Sequence, residues 1–210
     1  ETQPDVLELS HVSKTFRQRN LSVPALVDVE LGLSEGETLG IVGESGSGKS
    51  TLAKAMLGIE TVDAGGVVSM GGTAVPSPTG SRSAENKRSM QMVFQNPDSA
   101  LNRSWSVRRI LMRSVQKLTG IKGEEANKRV EALAAHLRLT PRHLDLKPRQ
   151  LSGDLKQRVA IARAFAGDPR IVVVTHAFNQ GVGGAMVSGY QAAMSDGMDI
   201  VAKLDGDGQM

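Results

Sequence analysis

The sequence contains no cysteine, so disulfides and thiolate metal centres are excluded. That absence is in keeping with a reducing, cytosolic compartment. Aromatic residues are only 3% of the 210, with one Trp and one Tyr, so the core has to be built from Val, Leu, Ile, Ala and Met. No apolar run approaches the roughly 20 residues that a membrane helix needs, and no signal-peptide pattern opens the chain. Basic runs and aromatic platforms are missing too, and a net charge of +3 is mild, which argues against a nucleic-acid partner. No internal repeat is visible. What is present is ordinary for a globular protein: 40% hydrophobic and 22% charged residues, in a length that suits one large domain or one domain with a fragment. Glu1 at the start and Gly208-Gln209-Met210 at the end read as cut ends.

Alternation predicts strands at Val6-Leu7-Glu8-Leu9 and from Ala25 to Leu31. A buried strand is expected from Thr38 to Val42, then a glycine-rich loop and a helix from about Lys49 to Leu57. Residues 64 to 89, rich in Gly, Ser, Thr and Pro, read as turns and short strands, and Met90 to Phe94 as another strand. From about Ala100 to Asp145 the pattern is helical; Val130, Leu133, Ala134 and Leu137 form one apolar face. A second helix opens at Leu151-Ser152-Gly153 and runs through Ala166, ended by Asp168-Pro169. A strand at 171 to 174, a glycine-rich loop at 179 to 184, a helix from about Ala185 to Ser195 and a strand from Ile200 to Leu204 follow.

Gly43-Glu44-Ser45-Gly46-Ser47-Gly48-Lys49-Ser50 fits G-x-x-x-x-G-K-[ST] between an expected strand and an expected helix. Glycines let successive N–H groups face phosphate oxygens, and a helix N-terminus adds partial positive charge. Lys49 would bridge the β- and γ-phosphates and Ser50 would hold Mg²⁺. An ordinary glycine turn is the bland alternative, and motif and context together weigh against it.

Over about residues 5 to 174 the chain resembles the nucleotide-binding domain of an ABC transporter. Val42 to Thr51 matches the Walker A loop, and Gln95 stands at the Q-loop. Leu151-Ser152-Gly153-Asp154-Leu155-Lys156-Gln157 resembles the signature, continued by Val159 to Ala164. Phe16 stands where the family stacks an aromatic on adenine, although taken alone it is more often a core residue. Ser152 alone could be just a helix cap. Val93-Phe94-Gln95-Asn96-Pro97 and Ala100-Leu101-Asn102 are most similar to the oligopeptide and dipeptide importer branch. The resemblance implies ATP and Mg²⁺, with Ser50 and Gln95 at the metal. It also implies a head-to-tail dimer with a second such domain, in which Ser152, Gly153, Asp154 and Gln157 face the partner's nucleotide. Transmembrane permease subunits and a place at the inner face of the cell membrane complete the implied setting. Asp154 departs from the pattern, which has glycine. A carboxylate roughly 5 Å from a γ-phosphate charge costs on the order of 3 kcal/mol at an effective dielectric near 20, so Asp154 is expected to weaken the ATP sandwich.

The resemblance also implies an Asp for Mg²⁺ and a Glu for the attacking water at the end of strand 171 to 174. Thr175 and His176 stand there instead. Threonine carries no charge, and imidazole is a poor partner for Mg²⁺. The switch histidine has no counterpart, His176 lying too early. Loss of the water-activating base costs about 10²–10⁴-fold in rate, so no catalytic residue is assigned.

From about Val172 onward a different resemblance enters. Asn179-Gln180-Gly181-Val182-Gly183-Gly184-Ala185, Gly189-Tyr190, Asp199-Ile200-Val201 and Lys203-Leu204-Asp205-Gly206-Asp207-Gly208-Gln209 are similar to the middle of a GT-A glycosyltransferase of the polyprenol-phosphate mannosyltransferase kind. That implies Mg²⁺ or Mn²⁺ on Asp205 and Asp207; a solvated Asp-Gly turn is the alternative. The parts that would bind base and acceptor are absent, so transferase activity is not expected. An Ile-Val-Val-Val strand serves either family, which makes it a natural point for recombination or for a join in sequence assembly.

The expected fold is α/β: a truncated P-loop core of ABC type with a helical subdomain and a short βαβ-like tail that could add strands to the same sheet. The expected divisions are 1–99 for the ATP-binding core, 100–150 for the helical subdomain, 151–174 for the signature helix and its strand, and 175–210 for the tail. Three functions stand: an importer ATPase fragment, a module that captures ATP without turnover, and a piece of a sugar-nucleotide transferase.

Overall fold

The computed structural model describes residues 5–19, 21–176 and 201–205. The chain opens with a long hairpin, β1 (Leu7–Gln18) and β2 (Leu21–Leu33), followed by the short β3 (Gly40–Ile41) and helix α1 (Lys49–Met56). Next come β4 (Val67–Met70), β5 (Thr73–Ala74), a 3₁₀ turn at Thr79–Ser81, α2 (Ala84–Ser89) and β6 (Met90–Val93). A helical stretch holds α3 (Pro97–Ala100), α4 (Val107–Thr119), α5 (Gly123–His136), α6 (Pro141–Asp145) and a 3₁₀ turn at Pro148–Gln150. The described elements end with α7 (Gly153–Phe165), β7 (Ile171–His176) and β8 (Val201–Asp205).

Two sheets form. The first is antiparallel, in the order β2-β1-β4-β5, and the second is parallel, in the order β3-β8-β7-β6. Pro24 is tolerated in β2 because that strand is the free edge of its sheet. The hairpin runs well past the expected Val6 to Leu9 strand because β1 and β2 keep pairing, through bulges, after their apolar alternation fades. The stretch read as turns and short strands also holds a helix, α2, capped by Ser83, whose hydroxyl accepts the N–H of Asn86 at 3.0 Å. The expected α/β architecture therefore holds, and β8 lies in the parallel sheet between β3 and β7. The glycine-rich loop at 179 to 184 and the helix expected from Ala185 to Ser195 lie outside the described residues.

The run Ile171-Val172-Val173-Val174 is apolar without alternation because β7 is buried on both faces. Ile171 and Val173 pack into a cluster with Leu52, Ala53 and Met56 of α1 and the inner residues of β1 and β4. Val172 and Val174 pack into a second cluster with α4, α5 and α7. In α5 the expected stripe contributes Val130, Leu133 and Ala134 to that second core, with Leu137 packed against it. Helices α1 and α7 thus sit on opposite faces of β7.

Candidate functional site

The parallel sheet directs the ends of β3, β8, β7 and β6 to one edge. Open parallel sheets bind ligands at that carboxyl edge. The glycine loop follows β3 there, Gln95 follows β6, and Thr175 and His176 end β7.

The loop is shaped by backbone that only glycine adopts readily. Gly46 and Gly48 have φ of 83° and 91°, and a Cβ on Gly48 would also meet the carbonyl of Ala25 and the side chain of Leu26. Gly48 caps α1 without a side-chain hydrogen bond, and the first turn of α1 carries no acidic residue. Its N–H groups and partial positive charge are therefore open to an anion. The Lys49 ammonium reaches back over the loop, donating to the carbonyls of Gly43 at 2.7 Å and Glu44 at 2.6 Å and to the hydroxyl of Ser47 at 3.1 Å. Ser45 and Ser50 are exposed and Thr51 is half-buried beside them. A cation, uncapped amides and an exposed hydroxyl at one helix start form a donor set that suits a polyphosphate with its metal.

Gln95 and Thr175 meet directly. The backbone N–H of Gln95 donates to Thr175 Oγ1 at 2.8 Å, and that hydroxyl lies 3.2 Å from the carbonyl of Val93, to which it donates. Thr175 is thereby engaged by the end of β6. His176 is in register with Asp205 of β8, and Thr175 with Leu204. Asp207 lies outside the described residues.

Phe16 belongs to neither core cluster and is 38% exposed on β1, with the Lys14 ammonium 5.4 Å from its ring centre. An exposed ring beside a cation offers a stacking face rather than core packing.

Ser152, Gly153, Asp154 and Gln157 lie at the start of α7. The Ser152 hydroxyl accepts the N–H of Leu155 at 3.3 Å, so it caps the helix. Ser152, Gly153 and Asp154 are exposed, and Gln157 is half-buried. Arg158 Nε donates to the Asp154 carboxylate at 2.9 Å, which neutralises part of the charge that a facing phosphate would meet. Helix α7, which carries these residues, and helix α1, which follows the glycine loop, flank opposite faces of β7.

One contact was not evident from the sequence. The Lys156 ammonium lies 3.1 Å from both oxygens of Asp98, tying α7 to α3 just beyond Gln95. The two residues are 58 positions apart, and neither stands out in its own segment.

Comparison with known proteins agrees with this geometry. The chain is 38% identical over 174 residues to the nickel import ATP-binding protein NikE of Rhodospirillum rubrum, covering 79% of this chain and 61% of the relative. It is 34% identical to the oligopeptide transport ATP-binding protein OppF of Streptococcus mutans, covering 82% and 56%. The chain therefore spans about three fifths of the length of these curated relatives. Among solved structures, the dimeric post-hydrolysis state of the ATP-binding cassette MJ0796 bound to ADP and Pi superposes with a TM-score of 0.75 at 27% identity, over 96% of this chain and 88% of that one. The structure of cbiO1 from Clostridium perfringens, at 22% identity, shares the fold with a TM-score of 0.76 over 98% and 80%. The family model described as ABC transporter matches residues 26–179, and this chain belongs to that family.

Proposed function

We propose that this chain is the ATP-binding part of an ABC-type importer and holds ATP with Mg²⁺ at the glycine loop. The observation that carries the reading is the start of α1: an uncapped helix, Lys49 over the loop, and Ser50 exposed beside it. Gly43, Ser45, Gly46, Gly48, Lys49 and Thr51 hold the phosphates, Ser50 and Gln95 meet the metal, and Phe16 stacks on the base. The resident metal supplies charge neutralisation on the phosphates. The similar proteins are importers of oligopeptides, dipeptides and tripeptides, nickel and methionine by name, and a peptide is the proposed cargo.

The cassette works as a head-to-tail pair bound to permease subunits. Placement of α1 and α7 on opposite faces of β7 supports this, with the start of α7 exposed. No helix among the described residues is long and apolar enough to cross a membrane. Residues 1–99, 151–174 and 100–150 serve as core, signature segment and helical subdomain.

Turnover by this chain is slow. Thr175 cannot act as a carboxylate, and its hydroxyl is committed to Gln95 and Val93. That favours capture of ATP with little hydrolysis as the second reading. The glycosyltransferase reading of the tail is weaker, because a solved ATP-binding cassette superposes over 96% of this chain.

Titration of a fluorescent ATP analogue tests the reading. Lys49→Ala is expected to weaken binding by about tenfold or more, the equivalent of losing one charge-assisted interaction. Equal affinity in parent and variant overturns it.

A further inference from the structure

We infer that a cavity at the amino edge of the parallel sheet is a second small-molecule site, shaped for a free amino acid with an aliphatic side chain. Its walls come from segments far apart in sequence. Ser89 closes α2 just before β6, Arg170 directly precedes β7, and Thr73 opens β5. Met90 of β6 is in register with Ile171 of β7, so Ser89 and Arg170 stand at neighbouring positions where both strands begin. The glycine loop and Gln95 follow the opposite ends of strands in this sheet. The cavity is therefore separate from the proposed nucleotide site. The two-residue turn Gly71-Gly72, with φ of 54° and 74°, folds β5 back on β4 and sets Thr73 opposite Met70. The cavity has a volume of about 290 Å³, which suits a ligand below drug size.

The lining divides by chemistry. Val6, Met70 and Ile171 contribute hydrocarbon, and Val6 and Ile171 are buried. Thr73, Glu85, Asn86, Ser89 and Arg170 contribute the polar groups. None of these five side chains makes a hydrogen bond or an ion pair among the described residues. Arg170 and Glu85 thus share one cavity and do not pair with each other. A guanidinium takes a carboxylate in two parallel hydrogen bonds, and a carboxylate takes an ammonium. A molecule carrying both charges meets both partners, whereas a simple anion or cation meets one partner and one like charge. The hydroxyls of Thr73 and Ser89 and the amide of Asn86 add donors and acceptors for the same two groups. The hydrocarbon lining takes an aliphatic side chain, and low-dielectric walls strengthen the field of the two charges. Leucine carries all three features on one carbon atom.

Calorimetric titration of the full chain with L-leucine tests the site. N-acetyl-L-leucine and L-leucinamide serve as probes that each lack one of the two charges. Leucine should bind once per chain, and each blocked form should bind at least about tenfold more weakly, the loss of one charge-assisted contact. Arg170→Gln should weaken leucine by a similar factor and narrow its advantage over leucinamide. Glu85→Gln should weaken leucine and narrow its advantage over N-acetyl-leucine. Both side chains are exposed, so both variants should keep the parent's thermal midpoint and its affinity for a fluorescent ATP analogue. Absence of leucine binding at millimolar concentration overturns the assignment, and so does equal affinity for the three probes. Parent-like leucine affinity in either variant overturns it as well. A lowered midpoint in one variant leaves the other variant and the probe comparison to decide. None of these outcomes alters the nucleotide reading, which the Lys49→Ala titration tests separately.

Discussion

Thr175 and Gln95 are joined by a 2.8 Å hydrogen bond from the Gln95 backbone N–H to the threonine hydroxyl, which donates onward to Val93. A carboxylate could accept the first bond but could not make the second. Thr175→Val should therefore cost about 1–2 kcal/mol of stability, from two hydrogen bonds lost at a half-buried site. Thr175→Ser should cost less. Urea unfolding of the three proteins measures this, and equal midpoints for Thr175→Val and parent would contradict it.

Gly48→Ala should damage the loop in two ways. The left-handed backbone at φ 91° costs a side chain about 1–2 kcal/mol, and the added Cβ meets the carbonyl of Ala25. A lower thermal midpoint together with weaker nucleotide binding is expected. Gly46→Ala shares the backbone cost but has open space around its Cβ, so it should be the milder change.

The Lys156–Asp98 pair is a better stability contributor than the surface pairs, because both side chains are mostly buried, at 19% and 29% exposure. Lys156→Ala and Asp98→Ala should each cost on the order of 1–2 kcal/mol. A double-mutant cycle should give a coupling of at least about 0.5 kcal/mol. Additive losses would show that the two residues act separately.

Asp154→Gly should have opposite effects on fold and assembly. It removes an acid from the first turn of α7 and a partner of Arg158, costing about 0.5–1 kcal/mol. It also removes a charge from the face proposed to meet a partner's phosphates, so ATP-dependent dimerisation should tighten. Melting curves read the first effect and sedimentation with ATP the second. Unchanged dimerisation would dispose of the electrostatic argument.

His11 accepts the company of two acids on the exposed hairpin. Its Nδ1 is 2.8 Å from Asp28 and 3.6 Å from Glu30. The hydrogen bond to Asp28, then the charges of Asp28 and Glu30, raise its pKa above the usual 6.5. The stabilising pair is complete below about 6.5 and is lost as pH rises through the raised folded value. NMR titration should place His11 above an unperturbed imidazole, and Asp28→Asn should bring it down.

The glycine loop and the helix after it were legible because their chemistry is contiguous, but the buried strand expected from Thr38 to Val42 is only Gly40–Ile41, with Thr38, Gly40 and Val42 exposed. Strand β7 was legible because burial on both faces leaves an unbroken apolar run. Helix α2 was not, since Ala84–Ser89 is short, polar and without an apolar period. The length of the hairpin was hidden because its outer part carries exposed Phe16, Leu21 and Val23 rather than a buried alternation. Exposure of Phe16 itself could be settled only by the fold. Neither the alignment of Asp205 with His176 nor the meeting of Lys156 with Asp98 has a local signal, because both depend on which distant segments become neighbours.

Ile171, Val172, Val173 and Val174 differ from one another by no more than a methylene, yet they face two different cores. Hydrocarbon of such even volume would accept a slide of one residue at little packing loss, and the slide would turn every side chain to the wrong side. What distinguishes one alignment from the next is the hydroxyl at the strand's end, since only the observed pairing of Val93 with Val174 brings Thr175 to the N–H of Gln95. The residue that ends the acidic chemistry of this strand is therefore also the one that sets its alignment, and restoring an acid there trades one specification for the other.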